Sequence, residues 1–175
     1  RSLVGSEMCI RDRSTVSLYS LGENGGGIWG YNKYLVLTPA YFLKKGTTTE
    51  NLSSELVNHH LSVYYVPEND NVNAKTLKLY LRYQITGIED SSAEEGTGSS
   101  ESWATEYTVK YSDAVYMNLS ILLAQYENAH GAKPEKLEVE YEYNNNSMSV
   151  PTKDTNKKQT KTVVYELYKD TTTNK

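Results

Sequence analysis

Cysteine is almost missing from this chain of 175 residues: Cys9 is the only one, so no internal disulfide staples the fold and no thiolate metal site can be built. Long apolar runs are missing as well. No stretch reaches the roughly eighteen consecutive apolar residues that a membrane-spanning helix needs. Basic charge is not in excess, since 18 Lys and Arg stand against 22 Asp and Glu for a net charge of −4. That balance argues against nucleic acid as a partner, because neutralising phosphates takes a concentrated basic footprint. The one lysine cluster, KDTNKKQTK at 153–161, lies in a polar stretch and reads as a solvated connector.

Catalytic grammar is equally sparse. The glycine-rich GENGGGIWG at 22–30 has neither the GxxxxGK[ST] nor the GxGxxG spacing of a phosphate cradle, and reads as a flexible connector with Trp29 as a packing plug. No GxSxG elbow and no HExxH pair is present. His59 and His60 are adjacent, so on a strand they point to opposite faces and cannot share a metal. His130 falls at the end of a predicted helix, where a positive charge suits the negative pole of the dipole. Neither a cofactor nor a metal is expected.

The opening differs in kind from the rest. Read as codons, LVGSEMCIRD gives CTC GTG GGC TCG GAG ATG TGT ATA AGA GAC, which resembles a transposon-based sequencing adaptor without a mismatch from Leu3 to Asp12. Ser2 and Arg13 accommodate the flanking adaptor bases. Glu7, Arg11 and Asp12 interrupt every apolar run, so a signal peptide is not a competing reading. Residues 1–12 are therefore expected to be non-native and unstructured, with the true start missing and Cys9 chemically irrelevant. Removing them takes away Arg1 and Arg11 against Glu7 and Asp12, so the charge stays at −4.

What the chain does have is tyrosine, sixteen against a single phenylalanine. An apolar ring with a polar tip suits half-buried strand positions and surfaces that make contacts yet face water. The sharpest strand is TLKLYLRYQI (76–85), where Leu77, Leu79, Leu81, Tyr83 and Ile85 share one face and Lys78, Tyr80, Arg82 and Gln84 the other. Its expected partner is ATEYTVKY (104–111), across a long polar hairpin loop at 89–102. EKLEVEYEY (135–143) alternates in the same way, with Glu138, Glu140 and Glu142 on the wet side. TKTVVYELY (160–168) turns Val163, Tyr165 and Leu167 inward. KYLVLT (33–38) is a buried strand closed by Pro39, AYFLKKG (40–46) a single helical turn, and LVNHHLSVYYV (56–66) leads into a strand. Between 112 and 131 the apolar residues satisfy both periods, but Ser112 or Asp113 as a cap, Gly131 as a stop and Pro134 beyond it point to a helix.

These features describe a mainly β domain over 13–170: an antiparallel β-sandwich or sheet of about six or seven strands with one amphipathic helix at about 113–130, and a tail at 171–175. An α+β arrangement is the alternative. No protein family is recognised. The composition suits a non-catalytic extracellular or cell-surface module for binding, adhesion or display, taking a protein or glycan partner. Its expected contact surface is Tyr80, Arg82, Glu138, Glu140 and Glu142. A phage or viral structural subunit, and a glycan-active enzyme fragment with convergent carboxylates in a pocket, are the alternatives.

Overall fold

A computed structural model describes residues 4–5, 15–21, 26–86, 107–143 and 159–168. The loop at 89–102, most of the lysine cluster, Cys9 and the 171–175 tail lie outside the described residues. In chain order the elements are β1 (Val4–Gly5), β2 (Gly27–Trp29), β3 (Tyr34–Leu37), β4 (Ala40–Lys44), α1 (Leu52–Leu56), β5 (His59–Tyr65), β6 (Thr76–Ile85), β7 (Tyr107–Ser112), β8 (Val115–Asn118), α2 (Ser120–His130), β9 (Lys136–Tyr143) and β10 (Gln159–Glu166). A 3-10 turn at Pro67–Asn69 follows β5. The protein is mainly β, with three sheets ordered β1-β5-β6-β9-β10, β2-β3-β8 and β4-β7. One apolar cluster draws on all three sheets, joining Leu35 and Leu37, Tyr41 and Leu43, and the inward residues of β5, β6 and β9.

The period-two reading of β6 and β9 holds in detail. Leu77, Leu79, Leu81, Tyr83 and Ile85 are all buried, as are Leu137, Val139 and Tyr141. Their neighbours differ from expectation. β6 pairs antiparallel with β5 and parallel with β9, while the segment expected beside it, β7, pairs with β4 instead. Alternation specifies which side chains face the core but not which strand lies alongside. The parallel β6–β9 pair requires a long crossover, and the chain through β7, β8 and α2 supplies it. Beyond Leu81 and Tyr141 that ladder ends and residues 15–18 take over the edges, with the Val16 N–H donating to Tyr83 O and the Leu18 N–H to Glu142 O.

Two local expectations are corrected. Ala40–Lys44 is a strand rather than a helical turn; Ala40, Tyr41, Phe42 and Leu43 are all buried, and a run apolar on both faces carries no period to tell the two states apart. The ambiguous 112–131 segment is a strand and then a helix. Val115 and Met117 alternate inward on β8, and α2 begins only at Ser120, whose N–H donates to the Asn118 side chain. Asp113 is not a cap. It is buried and accepts a 2.7 Å hydrogen bond from the Tyr41 hydroxyl. The C-terminal signal is realised: Gly131 adopts φ 77°, and its N–H donates to Glu127 O.

In the segment that resembles an adaptor, Val4–Gly5 runs parallel to β5 opposite Ser62 and Val63. An open sheet edge accepts backbone of any sequence. Because two terminal residues fray readily, deleting residues 1–12 is expected to move the melting temperature by less than about 2 °C in a calorimetric scan. A larger drop would show that this strand belongs to the domain.

Tyr165 makes a pH prediction. Burial, helped by the nearby Tyr141 hydroxyl, pushes its pKa from the usual 10.0 up to about 12. The native state then holds a proton that the unfolded chain gives up first, so the stabilisation is complete below pH 10 and is lost as pH rises from 10 towards 12. Equilibrium unfolding across that window is expected to show a shallower decline in Tyr165→Phe than in the parent.

Candidate functional site

The parallel register of β6 and β9 sets Lys78 beside Glu138 and Tyr80 beside Glu140. Lys78 Nζ lies 3.8 Å from Glu138 and 3.5 Å from Glu140, and Arg82 lies 2.7 Å from Glu140 and 4.0 Å from Glu142. Thr15 donates a 2.6 Å hydrogen bond to Glu142 Oε1. Tyr64 of β5 stacks on Tyr80 with ring centres 4.6 Å apart, and the Arg82 guanidinium lies over both rings. Burial works against the Lys78 ammonium, yet Tyr80, Glu140 and Glu138 outweigh it and hold its pKa above the usual value. All five residues expected as a contact surface, Tyr80, Arg82, Glu138, Glu140 and Glu142, thus meet on one face of the five-stranded sheet. Their charges are matched within that face, and Tyr80 is only 8% exposed.

Two polar clusters that the sequence does not announce are tied into the core. His59 and His60 point to opposite faces, His59 buried and His60 exposed. His59 Nε2 lies 2.6 Å from Glu55 Oε2, and its Nδ1 lies 2.6 Å from the Tyr83 hydroxyl. A carboxylate oxygen accepts, so Nε2 donates to Glu55, while Nδ1 shares a hydrogen bond with the Tyr83 hydroxyl. The second cluster centres on Asp70, whose side chain is wholly buried. It accepts from the Tyr65 hydroxyl, from the Lys78 N–H at 2.8 Å and from His130 Nε2 at 2.9 Å. Burial and the bond to Asp70 push the Tyr65 hydroxyl far above the ordinary tyrosine pKa. Both clusters are closed networks whose members satisfy one another. Among the described residues no group of three or more His, Cys, Asp or Glu could hold a metal ion.

Open chemistry lies on the small sheet. Alternation along β3 sends Leu35 and Leu37 into the core and Tyr34 and Val36 outward, while β8 sends Val115 and Met117 inward and Tyr116 outward. The register sets Val36 opposite Tyr116 and Trp29 opposite Tyr34. Together Trp29, Tyr34, Val36, Ala114, Val115 and Tyr116 line a cleft of about 400 Å³. Tyr34 and Tyr116 meet edge to face at 5.9 Å. Trp29 is not a packing plug: it is 54% exposed, and Tyr116 is 46% exposed. The glycine-rich segment is partly strand, and a Cβ at its Gly26 would sit 3.1 Å from Val36 O, a tight approach that glycine avoids.

The rim of the cleft is a strained turn. Gly30, Tyr31 and Asn32 take φ 65°, 50° and 69° in succession, a left-handed run that glycine adopts freely but that costs Tyr31 and Asn32 about 1 kcal/mol or more each. Asn32 is anchored by its Oδ1, which accepts the Tyr168 N–H at 2.6 Å. Its buried Nδ2 has no hydrogen-bond partner among the described residues. Tyr31, 62% exposed, packs edge-on against Tyr168 at 6.2 Å. Lys33 Nζ stands 5.5 Å from the Tyr34 ring centre, and Lys133 Nζ stands 6.0 Å from that of Tyr168. Burial, with Glu127 and Tyr31 adding to it, raises the Tyr168 hydroxyl pKa. Chemically the cleft offers ring faces and hydroxyl tips, with the Lys33 ammonium over the ring of its Tyr34. Among the described residues no carboxylate or histidine lines it.

No family model matches the chain, and no curated protein matches it. Among solved structures it is similar to a candidate lipoprotein of Bacteroides fragilis NCTC 9343, with TM-score 0.71 and 22% identity, covering 97% of this chain and 69% of that one. An uncharacterized protein from Parabacteroides merdae ATCC 43184 aligns with TM-score 0.43 and 12% identity, covering 94% of this chain and 64% of that one. The first likeness shows a shared fold. No helix among the described residues is long and apolar enough to cross a membrane, which says nothing of strands.

Proposed function

We propose that this chain is a non-catalytic binding module of a cell-surface or envelope protein, contacting protein or glycan through the cleft of Trp29, Tyr34 and Tyr116. The observation that carries the reading is the exposure of large aromatic rings on a sheet whose opposite face is core. Rigid, half-wet aromatics of this kind dominate binding energy at contact surfaces. The fold likeness to a candidate lipoprotein supports the envelope setting. Among the described residues no carboxylate pair of the kind that glycan cleavage uses lines the cleft.

The test is a binding screen of immobilised envelope glycans and host-surface proteins with the parent, Trp29→Ala and Tyr116→Ala. Each variant is expected to weaken whatever the parent binds by about tenfold, the usual loss for one aromatic anchor. Because both rings are exposed, melting temperatures should stay within about 2 °C of the parent. Partners bound equally by all three proteins would place the contact elsewhere and overturn the reading.

A further inference from the structure

We infer that the ligand of this cleft is an acidic polysaccharide, a chain of pyranose rings bearing carboxylates; the inference rests on the cleft being the contact site. A pyranose presents a flat face of polarised C–H groups that fits the negative face of an aromatic ring, and its rim of hydroxyls suits the hydroxyl tips of Tyr34 and Tyr116. The cleft takes its lining from all three strands of the β2-β3-β8 sheet. An extended peptide depends on main-chain pairing along a strand, whereas a sugar is held by ring faces and hydroxyls such as those of Trp29, Tyr34 and Tyr116.

Charge selects among sugars. Lys33 stands over Tyr34 at one side of the cleft, and Lys133 over Tyr168 beside the Gly30–Asn32 turn. Neither lysine pairs with a carboxylate among the described residues. Of the two, Lys33 stands over a ring that lines the cleft, so it is the cation nearest the ligand. A cationic ligand would be repelled, and one with a carboxylate on each ring would gain. Two sets, each an exposed ring with an ammonium above a tyrosine, flank the segment from Trp29 to Lys33: Trp29 with Tyr34 and Lys33, and Tyr31 with Tyr168 and Lys133. Such duplication suits a repeating polymer.

Titration calorimetry on the full chain tests this with hexagalacturonate and a hyaluronan hexamer, against methyl-esterified hexagalacturonate and poly-glutamate. At least one acidic oligosaccharide should bind. Esterification and Lys33→Gln should each weaken binding about tenfold, and raising NaCl from about 50 to about 300 mM should weaken it further. Trp29→Ala should weaken it at least tenfold, with an unchanged circular dichroism melt showing that the variant folds. Equal affinity for the neutral ester, equal affinity for poly-glutamate, or no binding of either acidic probe would overturn the acidic-glycan assignment. If another ligand still binds through Trp29 and Tyr116, the cleft reading survives that failure. Binding of an acidic probe that ignores both ring substitutions would instead overturn the cleft itself.

Discussion

Replacing His59 with alanine is expected to lower the free energy of unfolding by about 4 kcal/mol, the upper part of the range for emptying a core site whose partners are also left unpaired. The imidazole is fully buried, stacked against Tyr41 at 5.3 Å and Tyr83 at 5.9 Å with Tyr107 edge-on. Its removal opens a void among three tyrosine rings. It also takes from Glu55 Oε2 one of two donors, the other being the Lys44 N–H at 3.0 Å, so the hold of α1 on the sheet loosens. Urea unfolding checks the magnitude. A loss under about 1 kcal/mol would mean that water replaces the ring and that the network contributes little.

Asp70→Ala is expected to cost about 3 kcal/mol, because a buried carboxylate with three donors leaves all three unanswered when it goes. The Lys78 N–H, the Tyr65 hydroxyl and His130 come from β6, β5 and the last turn of α2, so one side chain joins three elements. Hydrogen exchange is therefore expected to rise first at the C-terminal end of α2, where His130 loses its anchor. Asp70→Asn keeps two acceptor positions on one oxygen and should fall between the variant and the parent. Uniform loss of protection across the sheet, with α2 unchanged, would contradict this placement.

Much of the fold is legible in the chain, and the reasons are local. β6 and β9 announce themselves because their apolar residues recur at every second position, a pattern broken in burial only where Thr76 and Tyr80 of β6 are also covered, and Gly131 because only glycine takes its left-handed φ readily. The 112–131 segment misleads because Val115 to Leu119 genuinely alternates while Leu122, Leu123 and Tyr126 follow a helical period, two true signals laid end to end. The aromatic cleft was hidden for a different reason. Trp29 sits among glycines in a stretch with no period, and its exposure depends on β2 pairing with β3. A legible hint did exist, since Tyr34 and Val36 occupy the alternate face of a strand whose other face is wholly apolar.

Local chemistry by itself determined the β character, the faces of the main strands, the helix stop and the acidic row of β9, because each depends on side-chain period or backbone preference within a few residues. Tertiary structure alone decided that β6 lies parallel to β9, that Lys78 and Arg82 neutralise the acidic row, that His59 and Asp70 are buried and satisfied, and that Trp29 stands open beside Tyr34 and Tyr116. Those outcomes turn on which distant segments share an edge or a face. Hydrogen-bonded ladders form between any two extended backbones, so nothing in a strand's own sequence names its neighbour.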